Sequence, residues 1–93
     1  MSSVDELTVS YFEGELETVR ELDKRVLTKG AWATLIFRYQ DLDRKTGEYG
    51  PDKYTIRRYQ KRNNEYQFKS KFNISSQDQA KKVIAALEQW IDK

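Results

Sequence analysis

The sequence predicts an α+β domain. Four antiparallel strands are followed by one helix, in the order β-β-β-β-α, with the C-terminal helix packed on one face of the sheet. Three observations predict it. Apolar and polar residues alternate with period two through segments near 53–62 and 65–73. Ala80, Val83, Ile84, Leu87, Trp90 and Ile91 recur at helical spacing on one stripe. Turn signals at Lys29-Gly30, Thr46-Gly47, Gly50-Pro51 and Asn63-Asn64 punctuate the chain between these segments.

Residues 1–13 read as a frayed acidic tail or a short edge strand. Gly14 and Gly30 bracket a run carrying Leu16, Val19, Leu22, Val26 and Leu27. Its spacing permits a helix or a strand, and the turn pair Lys29-Gly30 favours a strand near 16–27. Residues 32–42 (WATLIFRYQDL) are rich in β-branched and aromatic side chains. A polar connection over 43–52 leads into the strand near 53–62. Asn63-Asn64 then closes a hairpin with the strand near 65–73, because Asn tolerates the positive φ of a tight turn. The helix is expected over about 77–91. Ser76 with Gln79 forms a capping-box pattern, and Ser75 with Asp78 is an equal alternative. Asp78 suits the positive end of the helix dipole and is spaced to pair with Lys82.

One helix with one apolar stripe covers one sheet face. Alternation assigns Leu35, Phe37, Tyr54, Ile56, Tyr66, Phe68, Phe72 and Ile74 to the covered face. It assigns Thr34, Ile36, Arg38, Arg57, Tyr59, Lys61, Gln67, Lys69 and Lys71 to an open face that meets solvent, a partner or a second copy. A bulge or a one-residue slip inverts the assignment for a strand.

Ninety-three residues make a single domain, 1–93, with a small core. The absence of cysteine excludes disulfides and thiolate zinc sites, and no apolar run suits a signal peptide or a membrane span. The expected compartment is the cytoplasm. Without His or Cys, the usual general bases and nucleophiles at neutral pH are missing, so no enzyme is expected. No cofactor is implied. Asp41, Asp43 and Glu48 near Gly47 resemble a calcium loop only loosely. Counted from Asp41, position five is Lys45 and position twelve is Asp52, so the EF-hand pattern fails and a polar hairpin loop explains them.

The net charge of +2 hides a strong local concentration. Residues 1–25 hold seven acids against three bases, whereas residues 53–71 hold seven bases, one acid and four aromatics. Cations interleaved with rings on adjacent strands suit a polyanion whose bases can stack. On the open face Arg57, Lys61, Lys69 and Lys71 would contact phosphates and Tyr59 would be the stacking platform. Arg38 would add a contact from a third strand. The plainer alternative is a solvated basic face, with Tyr59 at a dimer interface. Trp32, opening a strand next to Gly30, is a core residue or a second stacking ring. Trp90 continues the helix stripe as a core or dimer contact.

Residues 54–59 (YTIRRY), the run Lys69-Ser70-Lys71 and Ile74-Ser75-Ser76 together resemble the positive cofactor four (p15) family of transcriptional coactivators. The resemblance covers about residues 53–91. It implies a four-stranded sheet with one helix that binds single-stranded DNA as a homodimer, with Arg57, Tyr59, Lys69 and Lys71 on or beside the DNA surface. The family's aromatic after the strand tyrosine is Gln60 here, and its glycine before Ile-Ser is Asn73. The expected function is therefore binding of single-stranded DNA or RNA, with homodimer formation. The alternative is a non-enzymatic protein-interaction module.

Overall fold

Alternation and turn chemistry place the strands well. The computed structural model describes residues 3–92. Within it, a one-turn 3-10 helix at Val4–Glu6 leads to β1 (Tyr11–Glu13), β2 (Leu16–Thr28), β3 (Trp32–Asp43), β4 (Glu48–Tyr49), β5 (Lys53–Arg62), β6 (Glu65–Ile74) and α1 (Gln77–Ile91). The sheet is antiparallel, ordered β1-β2-β3-β5-β6, with the two-residue β4 paired to β3. The α+β class and the single C-terminal helix are as expected. The strand count is not, because Tyr11–Glu13 pairs with the start of β2 and β4 adds to the end of β3. Both additions are too short to carry a period.

The turns behave as their residues allow. Asn63 and Asn64 take φ of 52° and 66°, the left-handed pair of a two-residue hairpin. The helix starts where its cap places it. Ser76 Oγ accepts from the Gln79 amide at 3.1 Å, and Gln79 Oε1 accepts from the Ser75 amide at 2.9 Å. Asp78 and Lys82 approach to 3.6 Å on the solvated surface.

The faces depart from expectation, and cross-strand register shows how. Ile36 pairs with Ile56, Arg38 with Tyr54, and Tyr54 with Ile74. Directly opposed residues share a face, and α1 closes over this one, lining a groove with Ile36, Tyr54, Ile56 and Ile74. Leu35, Phe37 and Tyr59 therefore lie on the other face, away from the helix. So do Tyr66 and Phe68, because a bulge between Arg58 and Tyr59 leaves Lys69 as an extra residue in β6. Beyond that bulge Phe72 and Ile74 stay on the helix side, while Phe68 and Tyr66 stand on the opposite side.

The face away from the helix is not open. Residues 3–10 cross it as a strap, and Leu7 and Val9 bury themselves against Ala33, Leu35, Phe37 and Tyr59 to form the core. Lys24 fastens the strap. Its Nζ donates to the carbonyls of Val4, Asp5 and Leu7 at 2.9, 3.0 and 2.7 Å. Thr8 donates to Glu21, and Ser10 Oγ accepts from the Glu21 amide. The apolar residues of this segment are spaced in no helical or strand register over enough length to read. Its N-terminal end, Met1 and Ser2, lies outside the described residues.

Candidate nucleic-acid interface

On the strap side the exposed part of the last hairpin, β5–β6, is β6 and the tip: Phe68, Lys69 and Lys71 are exposed, whereas Thr55 and Tyr59 of β5 are buried. Four pairs run along the hairpin on this side: Thr55 with Asn73, Arg57 with Lys71, Tyr59 with Phe68, and Lys61 with Tyr66. Arg57, Lys61 and Lys71 thus share one face, as expected. Lys69 occupies the bulge on the edge strand and is exposed. Arg38 does not join them. It lies on the helix side, across from Tyr54, with its Nε 3.8 Å from Asp52.

Tyr59 shares the face of Arg57 but not the expected exposure. It is 5% exposed and part of the core, so its ring is closed to a base. Burial pushes its hydroxyl above the ordinary 10.0, against the opposing pull of the neighbouring Arg57. The exposed ring is Phe68, which keeps 51% of its surface open. Tyr59 stands beside it across the strand pair, edge to face, with centroids 5.9 Å apart and planes at 64°. The signal for Phe68 was present in the turn. A two-residue turn at Asn63-Asn64 pairs 62 with 65, and counting back puts Phe68 opposite Tyr59 and so on its face.

The cations are arranged around rings. The Arg57 guanidinium carbon is 5.4 Å from the Phe68 centroid, and Lys61 Nζ is 5.5 Å from that of Tyr66. Both fall within cation–π range. Neither Arg57 nor Lys71 has a carboxylate partner among the described residues. Arg57 Nε is buried without an acceptor. A cleft of about 410 Å³ is lined by Arg57, Lys71 and Asn73 of the last hairpin, by Thr8 and Ser10 of the strap and by Tyr11 of β1. Asp41 also lines this cleft, and Lys53 neutralises it at 2.8 Å. That hydrogen bond is the main reason the Lys53 ammonium holds its proton above the ordinary 10.5.

Charge is also sorted along the strands. The end with the β2–β3 and β5–β6 turns carries Lys29, Arg58, Lys61, Arg62 and Lys69 against Glu65 and the Asp5-Glu6 turn, where Asp5 shares a pocket with Lys29. The opposite end carries Glu13, Glu15, Glu17, Asp41, Asp43, Glu48 and Asp52 against Arg44, Lys45 and Lys53. Folding converts a segmental imbalance into a basic end and an acidic end.

The loop near Gly47 closes on itself, with the Gly47 amide bonded to the Asp43 carbonyl at 2.8 Å and the Lys45 amide to the Asp43 carboxylate at 2.9 Å. Among the described residues no cluster of three or more acidic, His or Cys side chains could hold a metal ion, and no helix is long and apolar enough to cross a membrane. No family model, curated protein or solved structure matches this chain.

Proposed function

We propose that the chain binds single-stranded nucleic acid along the exposed β6 edge and hairpin tip of the strap-side face. The carrying observation is that Arg57, Lys61 and Lys71 share this face with an exposed Phe68. Lysine and arginine would meet successive phosphates, and the phenyl ring would stack on a base. Phe68 takes the place that Tyr59 holds in the sequence-based expectation, and Tyr59 stands beside it. The bulge residue Lys69 adds a charge at the edge. Stacking on one ring contributes about 1–3 kcal/mol per base, while each phosphate contact on a single strand adds about 0.7 to the salt slope. Titration of a labelled oligothymidine at two salt concentrations tests this. Binding at low salt should be lost steeply as salt rises, and Phe68→Ala should weaken it at both salts. Absence of binding at low salt ends the proposal.

A second reading concerns assembly, and one observation favours it. Helix α1 has no buried residue, and Trp90 is 73% exposed at the end of a stripe with Ile84, Leu87 and Ile91. Its groove against the sheet, about 600 Å³, is lined almost entirely by apolar side chains. The radius of gyration is 15.1 Å, against about 12 Å for a compact chain of this length. We propose that a second copy of the chain covers this stripe. With Phe72 included, two such patches would bury on the order of 1,000 Å², the scale a specific interface needs. A two-fold arrangement would set the same stripe against itself. Light scattering should give twice the chain mass, and Trp90→Asp should return it to one. A monomeric wild type at high concentration would end this reading.

A further inference from the structure

We infer that the nucleic-acid path continues past Phe68, around the tip of the β5–β6 hairpin, to a second stacking station on the opposite face: Trp32 with Arg58. This rests on the nucleic-acid reading above. Trp32 lies across from Gln60 and Thr34 across from Arg58, so both Trp32 and Arg58 stand on the helix side of the sheet. The Arg58 guanidinium carbon is 4.7 Å from the Trp32 ring centroid. The indole nonetheless keeps 41% of its surface exposed and lies outside the groove that α1 lines. Arg58 has no carboxylate partner among the described residues. An exposed indole under an unpaired guanidinium offers two flat surfaces to a base and one charge to a phosphate.

The two stations are joined by a basic rim. Lys61 and Arg62 sit on the tip, and Lys29 on the neighbouring β2–β3 turn, all exposed. The rim is tied together. The Tyr66 hydroxyl donates to the Gly30 carbonyl at 2.9 Å, and the Lys61 amide donates to the Ala31 carbonyl at 2.8 Å. Gln60 is two residues from the end of β5, about 7 Å at 3.3 Å per residue, so a few nucleotides suffice to round the tip. Strand β5 thus presents Arg57 beside Phe68 on one face and Arg58 beside Trp32 on the other. A flexible single strand can follow that turn. A stiff duplex, with a persistence length of about 150 base pairs, cannot.

The test uses the full chain with oligothymidines of about 4 and about 16 nucleotides. Phe68→Ala should weaken binding of both lengths. Trp32→Leu and Arg58→Gln should each weaken the long oligonucleotide roughly fivefold or more and leave the short one unchanged. In Trp90→Phe, where Trp32 is the sole remaining tryptophan, the long oligonucleotide should quench its fluorescence and the short one should not. The inference is overturned if Arg58→Gln binds the long oligonucleotide as the wild type does and Trp32 fluorescence does not respond. In that case Phe68→Ala still weakens both lengths, and the site ends at Phe68. If the wild type binds neither length at low salt, the nucleic-acid reading falls and takes this inference with it.

Discussion

The two faces of one sheet are covered by opposite means. On one, residues 3–10, an extended strap with a single 3-10 turn, bury Leu7 and Val9 over Ala33, Leu35, Phe37 and Tyr59. On the other, a fifteen-residue amphipathic helix buries none of its own residues. Apolar content alone would predict the reverse, since α1 carries the richer stripe. The difference lies in what each element meets. The strap is held by three hydrogen bonds from Lys24 and packs Leu7 and Val9 on fully buried Ala33, Leu35 and Phe37. The helix finds only Ile36, Tyr54, Ile56 and Ile74, with Arg38 and Asp23 beyond them. A covered face stabilises the monomer, and the helix face keeps an exposed apolar stripe.

That contrast can be broken at its largest point. Phe37→Ala should destabilise the fold by about 3–5 kcal/mol, since it empties the centre of the buried face. Trp90→Ala should change monomer stability by less than about 0.5 kcal/mol. Urea unfolding at dilute concentration measures both. Comparable losses in the two variants would mean that the helix face is as well packed as the strap face. Next in size, Leu7→Ala should cost about 2–3 kcal/mol, and Lys24→Met should free the strap, raising amide exchange at residues 4–9 while α1 is unaffected. Faster exchange throughout the molecule would show that strap and sheet do not separate.

A smaller effect belongs to pH. Burial raises the Tyr59 hydroxyl above 10.0, and burial followed by the charge of Asp41 does the same for Tyr39. The folded chain holds these two protons more tightly than the unfolded chain. Their contribution is complete below pH 10 and is lost as pH rises through the folded-state values. Stability should therefore fall on the alkaline side above pH 10, less steeply in Tyr59→Phe. An equal fall in that variant would move the cause from Tyr59 to Tyr39 and Lys53, whose protons are also held more tightly in the folded chain.

Much of the fold was legible because it depends on local spacing. The bounds of α1, its Ser76 cap and the β5–β6 hairpin follow from periodicity and turn residues, and the turn at Lys29-Gly30 alone favours the strand near 16–27. The faces were less so, because period two says which residues share a side and not which side is covered. Ile36 and Phe37 are equally apolar, and only tertiary packing chooses between them. The bulge at Lys69 splits β6 into two halves of opposite phase, which alternation over the whole strand conceals. Residues 3–10 have no periodicity to read. For the site, charge and strand position brought Arg57, Lys61 and Lys71 together. The choice of ring, Phe68 over Tyr59, required knowing that the inner half of that face is roofed by the strap.

On the function proposed here the two faces divide labour, with single-stranded nucleic acid on the exposed β6 edge of the strap side and a second copy on the helix side. Amide chemical-shift mapping with a saturating oligothymidine tests it most directly. The account predicts shifts at Arg57, Tyr66, Phe68 and Lys71 and at the hairpin tip, with Ile84 and Leu87 unmoved. Shifts confined to α1 and the groove beneath it, with β6 silent, would contradict it.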